Sequence, residues 1–512
     1  MFLEVIRDTK TIADNQRNLT YIKIRLLSLE WSKKSSVIAT FLSVEQRMRN
    51  GKNKVLLRCG VGCLIVLGIA LPVGFFGWVL PAFYIGSGYV AKVVGSVVFT
   101  AERPFESAIE EDVGPWNFFS IDIDKDTQSV TASVYGLAEQ TAQYQPGLGV
   151  HLVHGEPLPE LGQRPKMSKP TDWGEKLWPF GSAVALPSNG DAVEKLSKVI
   201  KKAFDEHDPQ NPVLTRGVVV IHGGKLIVEH YGTGFDSETR MAGWSMTKSI
   251  TNALIGILVH EGKLRGTDRA CVPEWSNPDD PRFHLTINHL LHMTTGLTFE
   301  ETYSNIFCDV IKMLFVERNA GAYAASKSLI RPIGKRWSYS SGTTNILSSI
   351  IRRAVGESDY WEFPSNELFK PIGMYSAIIE PDASGTFVGS SFGWATARDW
   401  ARFGQLFLND GVWNGKRLLP KGWVKYSVAP TAAAKGRYAA HWWTNDPYGK
   451  YPDKQPLPDC PRDTFFASGF HGQRVFVVPS RDAVVVRLGL TRKRGAFDFN
   501  AFLRDVLQAL PR

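Results

Sequence analysis

The chain has 512 residues, 44% hydrophobic, 12% aromatic and 21% charged, a composition that fits a packed enzyme and excludes an extensively disordered or low-complexity protein. Its formal charge of +9 is held at one end: Met1–Arg58 carries 12 Lys and Arg against 5 Asp and Glu, whereas Cys59–Arg512 carries 47 against 45. No basic surface runs through the rest of the chain, so no nucleic-acid partner is expected.

From Cys59 to Ala91 there is no charged residue and no histidine, a run of 33. At about 1.5 Å per residue, roughly 20 helical residues cross a bilayer core. The run predicts a transmembrane helix. Arg47, Arg49, Lys52, Lys54 and Arg58 flank it on the N-terminal side, and basic flanks stay cytoplasmic, so the remainder of the chain is expected on the extracytoplasmic side. A cleaved signal peptide is the alternative, but the apolar stretch exceeds a usual signal core and no clear small-x-small site follows it. Pro72 and Pro81 are tolerated in membrane helices, where they favour kinks. Residues 1–47 carry no motif, and Met48 stands where a membrane anchor would naturally begin.

The five cysteines give no CxxC metal pattern. Cys59 and Cys63 fall in the apolar run, and Cys271, Cys308 and Cys460 leave room for one disulfide. Between Lys92 and Gly190, strand-like alternation in "SVTASVYGLA" (Ser129–Ala138) mixes with Pro- and Gly-rich stretches. His151 and His154 are spaced like metal ligands but lack a third, so an ordinary strand or loop pair is the better reading.

The main domain opens with a helical pattern, "DAVEKLSKVIKKAFDEH". Two β-rich runs then flank Gly223-Gly224, a hairpin signal because both turn residues accept positive φ. Near the C-terminus, "RVFVVPSRDAVVVRLGL" reads as two strands around a Pro-Ser-Arg-Asp turn, and "FDFNAFLRDVLQAL" as an amphipathic helix. Strands near both ends with helices between them predict an α+β sheet assembled from the two termini.

Between these ends lies "RMAGWSMTKSITNALIGILVHEG" (Arg240–Gly262). Ser245 is the only serine of the chain with a lysine three residues on. On a helix, i and i+3 are neighbours, so Ser245 and Lys248 point the same way. A serine hydroxyl needs a base to become a nucleophile, and a lysine whose pKa is lowered by burial can be that base. The helix start also offers backbone N–H groups and a positive dipole end to an oxyanion. Taken alone, a Ser-x-x-Lys match is expected by chance in a chain this long, and a helix cap with a solvated lysine is the better reading.

The stretch resembles the active-site motif of the β-lactamase and penicillin-binding-protein superfamily, in which Ser-x-x-Lys is followed by a Tyr-x-Asn loop and a Lys-Thr-Gly strand. Further similar segments follow in family order: "LTINHLLHMTTGL" (Leu285–Leu297), "GKRWSYSSGTTNIL" with Tyr339, "LFKPIGM" (Leu368–Met374) and "ATARDWARFGQLFLNDGVWNGKRLLP" (Ala395–Pro420). Together they span roughly residues 190 to 512. Within the superfamily, "GWSMTKS", the Tyr-Ser-Ser loop and "ASGFHGQRVFVVPS" look most like the class C-like serine hydrolases, including 6-aminohexanoate-dimer hydrolase and related esterases.

The resemblance implies a β-lactamase/DD-peptidase-like fold, an antiparallel sheet flanked by helices with a mainly helical subdomain, here preceded by one N-terminal transmembrane helix. It implies Ser245 as the acylated nucleophile, with Lys248 and Tyr339 sharing base and acid work on a small amide or ester substrate. A tyrosine beside a lysine ammonium is expected to ionise more easily. No cofactor or metal is called for, and His289 and His292 are read as a helix face supporting the site. Two departures bear on substrate. Ser341 stands in place of the loop asparagine, and Phe470-His471-Gly472 stands in place of Lys-Thr-Gly, which removes the lysine that would meet a substrate carboxylate. His471 is a candidate for bonding substrate or the tyrosine, and the N–H of Gln473 a candidate oxyanion donor. Trp442, Trp443 and Tyr448 are candidate pocket aromatics, though core packing suits such pairs better.

The expected organisation is a basic segment over 1–55, an anchor over 56–91, a region over 92–189 packed on the hydrolase, and the hydrolase domain over 190–512. A D-alanyl carboxypeptidase or β-lactamase is the second enzyme reading. A non-catalytic membrane-tethered binding module of the same fold is the third.

Overall fold

The protein is seen in a computed structural model that describes residues 74–114, 117–155, 158, 167–184, 190–446 and 455–510. By compactness the chain divides into a unit of Met1–Phe83 with Tyr303–Ile306 and a unit of Tyr84–Thr302 with Phe307–Arg512.

Helix α1 (Leu80–Gly95) is extended by a π-helical turn at each end, so helical backbone is unbroken from Phe75 to Thr100. The charge-free run stops at Ala91, but the helix does not. Ile85, Val90, Ala91, Val94 and Val97 are buried. A Cβ on Gly88 would lie 2.6 Å from the Phe315 carbonyl oxygen, and one on Gly95 would lie 3.1 Å from Val150 Cγ1, so glycine lets α1 press against its neighbours. Lys92 is buried and ion-paired with Glu380. The carboxylate also accepts from Ser96 Oγ at 2.9 Å, Thr100 Oγ1 at 2.6 Å, the Val150 N–H at 3.0 Å and Trp394 Nε1 at 3.0 Å. Such a polar cage satisfies a buried charge. From Ile85 onward the apolarity of the charge-free run serves packing against protein. Among the described residues, Phe75–Thr100 is a helix long and apolar enough to cross a membrane, yet 67% of its apolar window is buried. Residues 59–73, with Cys59 and Cys63, lie outside the described residues.

Four strands form an antiparallel meander: β1 (Phe119–Asp124), β2 (Ser129–Val134), β3 (Leu137–Gln145) and β4 (Gly149–Leu152). The alternating stretch Ser129–Ala138 is not one strand but a hairpin. Val134 pairs with Leu137 across Tyr135 and Gly136, at φ 51 and 73, the paired left-handed geometry that suits the twist of two strands.

After α2 (Gly190–Lys202) come β5 (Thr215–His222) and β6 (Lys225–Tyr231), joined at Gly223 and Gly224 with φ 56 and 67, as the sequence predicts. Helices α3 (Thr247–His260), α4 (Ser341–Val355) and α5 (Ala397–Leu408) follow. The chain closes with β7 (Trp443–Thr444), β8 (Phe465–Gly469), β9 (Gln473–Val478), β10 (Ala483–Gly489) and α6 (Phe499–Ala509). The main sheet runs β7-β8-β9-β10-β5-β6, antiparallel throughout. The expected union of the two ends is the β10–β5 pair.

Every residue of β10 is buried, because helices cover both faces; a strand so placed reads as a continuous apolar run rather than an alternating one. On one face α2 and α6 enclose a core of Leu196, Ile200, Val220, Phe476, Val485, Leu503 and Val506. On the other lies α5, where a Cβ on Gly404 would come within 2.6 Å of Val484 Cγ1. Arg216 on β5 bonds Asp112 at 2.8 Å and Glu111 at 2.7 Å, and Arg103 bonds the same Asp112 at 2.7 Å, which fastens the segment after α1 to the sheet. Cys271, Cys308 and Cys460 are all free thiols, so the disulfide the sequence left room for is not formed.

Candidate active site

The sequence "AGWSMTKS" makes a sharp turn before it makes a helix. Gly243 packs so tightly that a Cβ there would lie 2.2 Å from the Trp400 ring, and Trp244 takes a left-handed φ of 48, costly for a bulky side chain and found where surrounding contacts enforce it. Those contacts are the Gly243 N–H on the Gly393 carbonyl at 2.8 Å, Thr247 Oγ1 on the Trp244 carbonyl at 2.6 Å, and the Gly393 N–H on Thr247 Oγ1 at 2.9 Å. Ser245 sits in the resulting 3-10 turn, partly exposed, and α3 begins two residues later.

Lys248 lies in the first turn of α3 and is buried. Its Nζ is 3.0 Å from Ser245 Oγ, 3.0 Å from Ser341 Oγ and 3.0 Å from the Ser390 carbonyl. Burial pushes its pKa down to about 8, against the upward pull of the Glu301 carboxylate. Charge in a desolvated site is penalised, so the neutral amine becomes accessible near neutral pH. Behind it His441, at φ 60, contacts the Lys248 carbonyl through Nδ1 at 3.1 Å and Thr344 Oγ1 through Nε2 at 3.2 Å. Burial holds His441 down at about 3, hence neutral.

Tyr339 stands over the pair. The Lys248 ammonium is 4.9 Å from its ring centroid, and the Ser245 side chain acts on its hydroxyl to lower its pKa, against larger opposing effects. The expectation that this tyrosine ionises easily is corrected. Burial, then the Glu301 carboxylate, raise its pKa well above the usual 10, and Trp337, Tyr438 and Trp443 crowd its ring. Its surroundings favour the protonated phenol, whose O–H is a proton donor.

Ser341, a substrate-contact candidate by sequence, lies beside the base. It is the first residue of α4, fully buried, and its Oγ donates to Glu301 Oε1 at 2.6 Å while its N–H donates to Glu301 Oε2 at 2.6 Å. With Lys248 on its other side, the hydroxyl serves the base. Glu301 escaped the sequence reading because the one hint, the acidic pair Glu300-Glu301 just after the Thr-Thr-Gly-Leu turn, does not say which carboxylate turns inward.

Phe470-His471-Gly472, matched by sequence to a strand, instead forms the turn between β8 and β9, closed by left-handed φ of 59 at His471 and 84 at Gly472. The strand that reaches the nucleophile's turn is β8, whose Gly469 is so close that a Cβ would lie 2.1 Å from the Gly243 carbonyl. No residue of Phe465–Gly469 is a lysine, so the departure from the family pattern survives the change of register. His471 stacks on Phe470 and meets the edge of Trp244, with centroids at 3.9 and 6.5 Å. Its Nδ1 is buried without a partner among the described residues, and burial lowers its pKa to about 3. It makes no hydrogen bond to Tyr339, one of the two partners the sequence offered for it. Gln473 opens β9 opposite Gly469, and its side chain spans to β10, accepting from the Gly489 N–H at 2.9 Å and donating to the Gly489 carbonyl at 2.5 Å.

The other candidates divide plainly. Trp442 is core, against Phe403 and Phe407; Trp443 lies 5.7 Å from Tyr339, at the site; Tyr448 lies outside the described residues. His289 Nδ1 bonds Thr286 in a capping box, and His292 bonds Thr431 Oγ1 at 2.7 Å. Among the described residues no cluster of His, Cys, Asp and Glu could hold a metal, His151 and His154 included.

Comparison with known proteins gives this geometry its setting. Residues 200–509 match the Beta-lactamase family. A 6-aminohexanoate-dimer hydrolase of Paenarthrobacter ureafaciens is 25% identical over 332 residues, 58% of this chain and 78% of that one. Among solved structures, a penicillin-binding protein homolog from Caulobacter crescentus is 18% identical with a TM-score of 0.45, covering 64% of this chain and 97% of its own. A family VIII carboxylesterase is 15% identical with a TM-score of 0.48, covering 64% and 98%. With more than half its length matched, the chain belongs to the Beta-lactamase family of serine hydrolases.

Proposed function

We propose that the protein cleaves an amide or ester bond through an acyl-enzyme on Ser245, with Lys248 as general base and Tyr339 as general acid, while tethered to a membrane. The observation that carries the reading is the contact between Ser245 Oγ and a buried Lys248 Nζ at 3.0 Å, with the lysine pKa lowered to about 8. At pH 7 such a lysine is neutral roughly one time in ten, a population ample for a base.

Neutral Lys248 takes the Ser245 proton as Oγ attacks the substrate carbonyl. The tetrahedral oxyanion forms at the start of α3, where backbone N–H groups and the helix dipole favour negative charge. Tyr339, whose ring lies 4.9 Å from Lys248 Nζ, hands its proton to the departing amine or alkoxide, and the Lys248 ammonium restores it. Water then attacks the ester on Ser245 by the same steps, releasing the acid and free serine.

The P. ureafaciens relative is named for hydrolysing a 6-aminohexanoate dimer, which favours a linear amide or ester here. A β-lactam or D-alanyl peptide is less favoured, since β8 offers no lysine to a substrate carboxylate. A binding module would need neither the desolvated lysine nor the phenol held over it. Tethering rests on the charge-free residues 59–83 and the basic flank before them, which also favours an extracytoplasmic catalytic unit. The test is turnover of a panel of linear esters and amides by the full chain in detergent and by Ser245→Ala. Release of acid that the mutant loses supports the reading, and equal release by both refutes it.

A further inference from the structure

Lys248 must do two things at once: hold still and keep its lone pair free. A neutral lysine has two N–H bonds and one lone pair, and Nζ has three oxygen neighbours at 3.0 Å: Ser245 Oγ, Ser341 Oγ and the Ser390 carbonyl. A carbonyl only accepts, so one N–H goes to Ser390. The two hydroxyls are ambivalent, since each can donate or accept. If Ser341 donated to Nζ, it would occupy the lone pair that Ser245 needs.

Glu301 removes the ambivalence. Its Oε1 takes the Ser341 hydroxyl proton at 2.6 Å and its Oε2 takes the Ser341 N–H at 2.6 Å. A carboxylate offers only acceptors, so the single proton of Ser341 is committed to it. The remaining face of Ser341 Oγ can only accept, and it takes the second N–H of Lys248. The lone pair is left pointing at Ser245.

We propose that Glu301 is the positioning residue that fixes the direction of the Lys248–Ser341–Glu301 hydrogen-bond chain, so that the base presents its lone pair to the nucleophile. This rests on the hydrolase reading above and assigns a role to a side chain that touches no reacting atom. The titratable groups around Lys248 are Glu301, Tyr339 and His441. Tyr339 is held protonated and His441 neutral, which leaves the Glu301 carboxylate as the charge acting on the lysine, raising its pKa.

The test is the rate of Ser245 acylation by an activated ester as a function of pH, read by intact mass on the full chain, for wild type, Glu301→Gln, Glu301→Asp, Ser341→Ala and the Glu301→Gln/Ser341→Ala double variant. Glutamine can turn its amide N–H toward Ser341 and free that hydroxyl to donate to Lys248. The expected result is a fall of about tenfold or more in the plateau rate for Glu301→Gln, the range of a general-base contribution, with the lower-pH limb moved to lower pH because the charge that raised the lysine pKa is gone. Adding Ser341→Ala should restore part of the plateau, since the competing donor is removed. Glu301→Asp should keep the limb in place. A limb and plateau unmoved in Glu301→Gln, or a loss that Ser341→Ala deepens rather than relieves, would overturn the proposal. If Glu301→Gln does not fold, the aspartate variant decides: a displaced limb there overturns the proposal and an unmoved one supports it. Wild-type protein that is never acylated at Ser245 would instead refute the hydrolase reading, a distinct result.

Discussion

Lys92 of helix α1 and Glu380, 288 residues later, form an ion pair with side-chain exposures of 3% and 0%. The helix that the apolar run feeds is thus built into the catalytic unit. Removing one partner of a buried pair leaves an uncompensated charge, at a cost of about 3–5 kcal/mol. Lys92→Met is expected to lower the urea midpoint accordingly. A chain beginning at Ala101 should fail to fold, while one beginning at Tyr84 retains the buried face of α1. Urea unfolding of the three proteins checks this.

The pH dependence of acylation follows from Lys248. The base works when neutral, and its pKa is pushed down to about 8. Below that value the neutral fraction rises about tenfold per pH unit, and above it the fraction saturates. The rate should therefore climb up to about pH 8 and level off beyond it, whereas an unburied lysine would keep climbing past about pH 10. Stopped-flow acylation over that range distinguishes the two.

Tyr339→Phe removes a proton donor without touching the lysine. Acylation should fall by about 10²–10⁴, with the limb that belongs to Lys248 unmoved, because Tyr339 stays protonated across the range. A limb that shifts with this substitution would show that the tyrosine, not the lysine, is the titrating base.

Gly243→Ala tests the turn that aims the serine. A Cβ 2.2 Å from the Trp400 ring must displace a fully buried indole or the turn itself. Overpacking of this kind costs about 1–3 kcal/mol, and a shifted turn misaligns Ser245, so stability and acylation rate should fall together. Urea unfolding and the acylation rate at one pH measure both.

The order of motifs made the fold and the Ser245–Lys248–Tyr339 grouping legible in the sequence, since an i, i+3 pair on a helix needs no tertiary knowledge. The Gly223-Gly224 hairpin was legible for the same local reason. What escaped depends on long-range placement. Glu301 meets Ser341 across 40 residues, and no periodicity marks such a pair. His471 was matched to a strand because Phe470-His471-Gly472 stands in place of the family's Lys-Thr-Gly strand, but its left-handed backbone makes it part of a turn. Composition alone does not separate a buried helix from a membrane helix, so the packing of the run's last residues was not legible; Lys92, whose ion pair with Glu380 reveals it, lies one position beyond the charge-free run.

The most direct measurement is the intact mass of the full chain after mixing with an activated ester and, separately, with a penicillin, beside Ser245→Ala. The account predicts a single acyl adduct from the ester, mapped to the peptide that holds Ser245, absent in the mutant and formed faster than any penicillin adduct. No adduct on folded protein, or an adduct that persists in Ser245→Ala, would contradict it.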